Sequence, residues 1–290
     1  MAKAKKEKME ANPFKLKKEL PRLPGYIIVT LWTAFIFCMI GWIILASLST
    51  TKEIFTGSLL ASGLHFENYT KALFTNKAAL NLLNSVIYTV PSCILIIVGC
   101  APAAYCMSRF KFRGAGLIQA LIIIGLAIPN IMIVMPLFSI VSALNLSGTH
   151  FTLIFLYTAC SVPYTTFFLL TFFKGISTSF EEAAAIDGCG PIQCFWKIMF
   201  PLAQPAIVTV SIFNFIGKWN EYFMALIFAN KSNLRPIGVG LYQTVTSMMN
   251  SGDWAGMFAS VVIVFIPTVV IYAFLSDKII SGVTAGGNKG

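Results

Sequence analysis

Four neighbouring residues, Lys218 to Glu221, bring chemically capable side chains into a stretch that is otherwise apolar. An aromatic face, an amide and a carboxylate can together bind a polar solute, so Trp219, Asn220 and Glu221 are candidates for a substrate path or gate. Lys218 and Glu221 are three residues apart, a spacing that would let them form an ion pair on one helix face. A purely structural ion pair is the alternative, because an unpaired charge near the bilayer centre costs about 2.5 to 3.5 kcal/mol.

Other catalytic or metal-binding arrangements are missing from the sequence. It contains no GxxxxGK[ST] phosphate loop and no usable arrangement of Ser, His and acid or of Cys and His. The two histidines, His65 and His150, fall in predicted outer loops and cannot build a metal site alone. The 7 cysteines form no matched CxxC pairs, which favours a packing role. We therefore expect a protein that is not an enzyme and binds no cofactor itself.

The composition is that of an integral membrane protein. Hydrophobic residues make up 57% of the 290 residues, charged residues only 11%, and mean hydropathy is +0.79. A water-soluble domain could not cover so much apolar surface. Residues 114–173 contain no Asp, Glu, Lys or Arg, which is enough length for two helical crossings and a turn.

Six transmembrane helices are predicted from the apolar runs. Their approximate ranges are 26–47, 80–108, 117–144, 152–173, 202–228 and 255–276. Pro129, Pro136 and Pro163 lie within these spans and predict kinks or local openings of the helices.

The net charge of +10 is explained by topology rather than by nucleic acid binding. Eight of the 21 basic residues precede the first span, three lie in the short loop after the second span, and two each lie in the loop after the fourth span and in the tail. By the positive-inside rule these segments and both termini are cytoplasmic. The predicted organisation is thus a basic arm (1–25), a six-span transmembrane domain (26–276) containing a cytoplasmic loop (174–201), and a Gly-rich cytoplasmic tail (277–290).

The 174–201 loop interrupts the apolar sequence with signals for a short helix. Thr178 and Ser179 are candidate N-caps, and Glu181 and Glu182 follow at the capping-box spacing. The alanines that come next are strong helix formers. The sequence therefore predicts a self-capped helix on the cytoplasmic face.

A turn and a second short helix are predicted to follow. Gly188 and Gly190 would stop the first helix by adopting left-handed backbone, and Pro191 would begin a second helix that ends near Pro201. The resulting helix-turn-helix has two interpretations. It is either an amphipathic connector on the membrane surface or a rigid knob, with a flat Ala-rich side, that fits a groove of a cytoplasmic partner.

The same residues resemble the EAA loop of the membrane subunits of ABC importers. The matching positions are Glu182-Ala183-Ala184, Gly188 and the run Ile198-Met199-Phe200-Pro201, in which Phe200 replaces the usual Leu. In that family the loop is the coupling helix that docks into the ATPase subunit. The resemblance implies ATPase coupling by Glu182, Ala183, Ala184, Gly188, Ile198 and Pro201.

Two further stretches resemble the MalG-like branch of carbohydrate-uptake permeases. These are the segment KWNEYFMALIF in the fifth span and the tail SGVTAGGNKG. In the maltose system the tail inserts between the ATPase subunits, which implies that Thr284, Ala285, Gly286 and Gly287 contact the ATPase here.

This resemblance implies an all-α, type I ABC importer permease fold with six transmembrane helices and a coupling helix. The implied partners are a second homologous permease, two ATPase subunits that bind ATP and Mg, an extracellular sugar-binding protein, membrane lipid and a di- or oligosaccharide, in a bacterial inner membrane. An ABC permease for another small polar solute and an ion-coupled secondary carrier are the alternatives. The carrier is disfavoured because the sequence shows no repeated halves and only one acid, Glu221, within a span.

Overall fold

The computed structural model describes residues 22–287, with the backbone alone for residue 249 and residues 275–287. This part of the chain is helical and contains no β-strand. In chain order the helices are α1 (Leu23–Ser47), α2 (Thr51–Thr56), α3 (Glu67–Thr70), α4 (Ala78–Arg109), α5 (Ala115–Ala127), α6 (Asn130–Ala143), α7 (His150–Lys174), α8 (Ser179–Ile186), α9 (Pro191–Leu202), α10 (Gln204–Trp219), α11 (Phe223–Phe228), α12 (Ile237–Ser251) and α13 (Trp254–Gly287).

Four of these helices are long and apolar enough to cross a membrane by themselves: α1, α4, α7 and the Trp254–Phe274 part of α13. Two bent pairs, α5 with α6 and α9 with α10, also have the length and composition of a span. The described chain therefore provides up to six crossings, and the count of six stays a prediction.

Two of the predicted spans are broken helices. The third span divides at Ile128 and Pro129, where α5 and α6 meet at 107°. The fifth span begins at Gln204 rather than near 202, after a 72° bend from α9, and divides again between Trp219 and Phe223. Pro129 explains the first break because it has no amide hydrogen and takes an extended conformation. Pro136 and Pro163, in contrast, lie inside helices that continue past them.

The last helix also differs from the sequence interpretation. α13 continues to Gly287, so most of the predicted tail, including Thr284 to Gly287, is helical. Residues 288–290 and most of the N-terminal arm lie outside the described residues.

The centre of the fold is the packing of α4 against α7 and α10. Cys100, Ala101 and Ala104 of α4 are buried against Leu169 and Phe173 of α7. Small side chains allow close approach of helices in a membrane, so these three residues let α4 pack closely against α7. α1, in contrast, is almost entirely exposed along its apolar length.

The segment between α1 and α4 is organised around Glu53. Its carboxylate accepts hydrogen bonds from the Thr50 amide at 2.8 Å and from the Ser62 amide and hydroxyl at 2.5 and 2.6 Å. These hydrogen bonds, led by that of the Ser62 side chain, lower the pKa of Glu53 to about 2. The segment contains two short α-helices, α2 and α3, and a π-helical turn over Lys71–Thr75 that follows α3.

Candidate functional site

The first helix of the 174–201 loop forms where it is predicted but without the predicted cap. Thr178, the residue before α8, has helical backbone angles, and its side chain makes no capping hydrogen bond. The hydroxyl of Ser177 instead accepts a hydrogen bond from the Ser179 amide at 3.3 Å. The predicted capping box is therefore wrong, because a capping residue needs extended backbone and Glu181 is engaged elsewhere.

Glu181 connects this loop to the end of α4. Its Oε2 lies 2.7 Å from Nε of Arg109, and the two side chains are only 17% and 10% exposed. Nη2 of Arg109 also donates to the carbonyl oxygen of Ile176 at 2.8 Å. The sequence interpretation missed this pair, although Arg109 and Glu181 were both assigned to cytoplasmic loops, where they were free to meet.

The turn after α8 confirms the role of Gly188. Its φ of +76° is in the left-handed region, and the Cys189 amide donates to the carbonyl of Ala184 at 2.8 Å across the turn. Gly190 is extended, with φ of −69°, so the prediction of left-handed backbone there is wrong. Pro191 begins the next helix as predicted.

The inner side of the loop is packed firmly on the membrane helices. Ala184, Phe195 and Met199 are buried in a cluster with side chains of α4 and α7. The ring of Tyr105 lies 5.1 Å from that of Phe195 and 5.6 Å from that of Phe173. A displacement of this loop would therefore be transmitted directly to α4 and α7.

The outer side of the loop carries exposed apolar residues. Ile186 is 87% exposed and Ile192 is 78% exposed, on either side of the turn at Gly188. Of the positions assigned to ATPase coupling, Glu182, Ala183, Gly188 and Pro201 are exposed, Ile198 is half-buried and Ala184 is buried. The sequence interpretation did not single out the two isoleucines, whose signal was their apolar character beside a glycine turn in a polar loop.

Trp219 and Asn220 lie at the break in the fifth predicted span. Trp219 is buried, stacks on Phe215 with ring centroids 5.8 Å apart, and donates from Nε1 to Oγ1 of Thr268 at 3.2 Å. Asn220 is exposed and donates to the carbonyl of Ile216. Trp219 thus joins α10 to α13, and its indole is not open to a path in this conformation.

Lys218 and Glu221 have different partners instead of each other. Nζ of Lys218 donates to Oγ of Ser161 at 2.5 Å and to Oδ1 of Asn214 at 3.1 Å. Glu221 accepts hydrogen bonds from the Tyr157 hydroxyl at 2.8 Å and from two amides at the start of α11. The predicted ion pair is wrong because the helix ends at Trp219, so the three-residue spacing no longer places both side chains on one face.

Lys218 and Glu221 do line one cavity. It has a volume of about 200 Å³, and Tyr157, Ser161 and Asn214 contribute to its wall. The structure thus brings Glu221 to the cavity together with Lys218, and leaves Trp219 and Asn220 out of its lining. Within the described residues, no three His, Cys, Asp or Glu side chains are grouped so that they could hold a metal ion.

Residues 94–284, which include the loop, the cavity and the break at Glu221, match the family described as binding-protein-dependent transport system inner membrane component. The chain belongs to this family. The permease is 30% identical to the diacetylchitobiose uptake system permease protein NgcG of Streptomyces coelicolor, over 90% of this chain and 87% of that protein. It is also 30% identical to the trehalose/maltose transport system permease protein MalG of Thermococcus litoralis, over 94% and 98% of the two chains.

A solved structure shares the fold of the permease. A chain of a bacterial ABC transporter that imports the acidic polysaccharide alginate aligns with a TM-score of 0.76 at 24% identity, over 88% of this chain and 96% of that chain. These similarities confirm the resemblance to ABC importer permeases and the all-α membrane fold. The chain is therefore a multi-pass transport subunit, and the ion-coupled secondary carrier is set aside.

Proposed function

We propose that this permease forms half of the translocation pathway of an ATP-driven importer for a di- or oligosaccharide. Support comes from two relatives of nearly full-length similarity, which are named for the uptake of diacetylchitobiose and of trehalose or maltose. A second homologous permease would complete the pathway, an extracellular sugar-binding protein would deliver the substrate, and two ATPase subunits would bind ATP and Mg. The complex would lie in a bacterial inner membrane, with both termini and the 174–201 loop in the cytoplasm.

The coupling of ATP hydrolysis to transport is assigned to the 174–201 loop. The observation that carries this proposal is the two-sided character of the loop, which is fixed inside by Arg109 and Glu181 and presents Ile186 and Ile192 outside. Exposed apolar side chains on a rigid support mark an interaction surface. The outer face would dock into a groove of the ATPase, and closure of the ATPase dimer would move the loop and the helices packed on it.

The helical end of α13 would provide a second ATPase contact. Thr284, Ala285, Gly286 and Gly287 continue a transmembrane helix towards the same side as the 174–201 loop in the predicted topology. A substrate-path role for Asn220 and Glu221 stays part of the proposal, since both lie where the fifth span opens.

Co-purification of the native complex tests the coupling proposal. Ile186→Glu and Glu182→Lys should each release the ATPase subunits from the tagged permease while the second permease remains bound. Phe74→Glu is the matched control, because Phe74 is 72% exposed at the opposite, predicted outer end. Retention of the ATPase and of sugar-stimulated ATP hydrolysis in both loop variants would refute the assignment.

A further inference from the structure

The cavity that contains Lys218 lies where two helix breaks meet. Asn130, the first residue of α6 after the Pro129 break, contributes to its wall, and so does Glu221 in the break between α10 and α11. Non-helical backbone at membrane depth is tolerated where it is buried in protein or lines a water-filled cavity. The two breaks therefore meet at one chamber within the membrane part of this subunit, and its wall carries both polar and apolar side chains.

Lys218 retains hydrogen-bonding capacity towards this chamber. The side chain is buried, with 8% of the residue exposed, and both of its acceptors, Ser161 and Asn214, are uncharged. An ammonium group has three N–H donors, so one of them has no acceptor among the side chains that the structure describes. No described carboxylate forms a salt bridge with Lys218. Burying a cation with neutral partners alone is costly, which favours a functional reason for its presence.

Glu221 supplies the complementary group. Its oxygens accept from the Met224 amide at 2.7 Å, from the Ala225 amide at 3.0 Å and from the Tyr157 hydroxyl at 2.8 Å. A carboxylate offers about four acceptor positions, so about one remains for a ligand. The chamber thus offers a ligand one hydrogen-bond donor, on the Lys218 ammonium, and one acceptor, on the Glu221 carboxylate.

A neutral ligand rich in hydroxyl groups fits this pair better than a charged one. A hydroxyl both donates and accepts, whereas an anionic ligand would gain from Lys218 and be repelled by Glu221. The rings of Phe213 and Tyr157 add apolar faces to the wall. A volume of about 200 Å³ is below that of pockets for drug-sized ligands, which begin at about 300 Å³, and suits a single ring.

We propose that this chamber is a sugar-binding site contributed by this permease subunit, at which Lys218 donates to one hydroxyl and Glu221 accepts from another hydroxyl of a neutral sugar ring. The site rests on the proposed function, because it assumes that a carbohydrate passes through the subunit. Of the three candidates from the sequence pattern the site includes Glu221, and it adds Lys218.

A cavity-filling variant tests the site without removing a polar group. Gly217 lines the chamber, and a Cβ added there meets no atom within 4 Å, so a side chain can be introduced on the helical backbone of α10 without a clash at its Cβ. In the reconstituted native complex, Gly217→Leu should lower sugar uptake at least tenfold while ATP hydrolysis stimulated by the binding protein continues. Gly99→Leu, an exposed and equally open glycine of α4, should leave both unchanged.

Lys218→Met provides a second variant with a direct binding readout. Cys160 lies in the wall of the chamber, whereas Cys93 lines a separate groove and serves as the internal control. The measurement is the rate at which a small maleimide modifies each thiol. This rate would be compared in the presence of maltose, trehalose, diacetylchitobiose and a galacturonate disaccharide. A neutral sugar that the complex transports should slow modification of Cys160 about tenfold and leave Cys93 unchanged, and Lys218→Met should abolish this protection.

The outcomes separate this site from the function on which it rests. If the wild-type complex transports a sugar but that sugar does not protect Cys160, or if Gly217→Leu transports it normally, the site is refuted and the proposed function stands. Protection by the acidic disaccharide alone would refute the neutral ligand. If the complex transports none of these sugars and its substrate is a small polar solute of another class, the proposed function and the site are both overturned.

Discussion

At the scale of single residues, the break after Trp219 decides what the charged side chains do. The sequence spacing predicted a pair between Lys218 and Glu221, but that prediction assumed an unbroken helix. In the structure Glu221 accepts hydrogen bonds from the first amides of α11, while Lys218 turns to Ser161 and Asn214. Local spacing could not reveal this, because the helix end depends on tertiary contacts such as the Tyr157 hydroxyl.

Glu221→Gln tests the capping role of this carboxylate. The amide keeps one oxygen but loses the charge that stabilises the helix start and at least one of the three hydrogen bonds, at a cost of about 1–2 kcal/mol. We expect a lower unfolding midpoint of the purified permease in detergent, measured by a thermal scan. Glu182→Gln, which changes an exposed carboxylate, is the control, and an equal loss in both variants would contradict the capping role.

At the scale of elements, the sequence predicted the short helices of the 174–201 loop but not the contact that holds the loop to α4. A short helix that ends just before the Gly188 turn and a second helix that begins at Pro191 follow from local backbone preferences, which are readable in the sequence. The anchor between Arg109 and Glu181 joins residues that are far apart in the chain, so no local rule indicated it. The exposure of Ile186 likewise depends on which side of α8 is buried, and that is the side of Ala184.

A double-mutant cycle of Arg109→Met and Glu181→Gln measures this anchor. Each single change leaves one polar or charged group largely buried without its partner, so amide hydrogen exchange across Ser179–Ile186 should accelerate in each. The double variant should be no worse than the singles, with a coupling energy of about 1–3 kcal/mol. Lys174→Met, an exposed change at the end of α7, should leave exchange unchanged. Strictly additive effects would show that the two side chains do not act together.

At the scale of the whole molecule, hydropathy alone predicted the membrane class and where the long helices lie. The positions of α4, α7 and the membrane part of α13 follow closely from apolar runs, because every backbone polar group in a bilayer must be satisfied within a helix. Hydropathy does not predict the bend of 107° between α5 and α6 or the packing of these helices. They depend on which side chains meet across helices, which hydropathy and other local sequence patterns do not indicate.

The contact between α5 and α7 gives a test of this packing. A Cβ placed on Gly125 would lie 2.9 Å from Cγ of Pro163, and a proline ring cannot rotate away. Gly125→Val should therefore force the helices apart at a cost of about 1–3 kcal/mol, seen as a lower unfolding midpoint and weaker recovery of the folded permease from the membrane. Gly116→Val, in the same helix but with open space around it, carries the same change in helix propensity without the clash. Equal midpoints of the two variants would mean that α5 and α7 do not approach each other at Gly125 in the membrane.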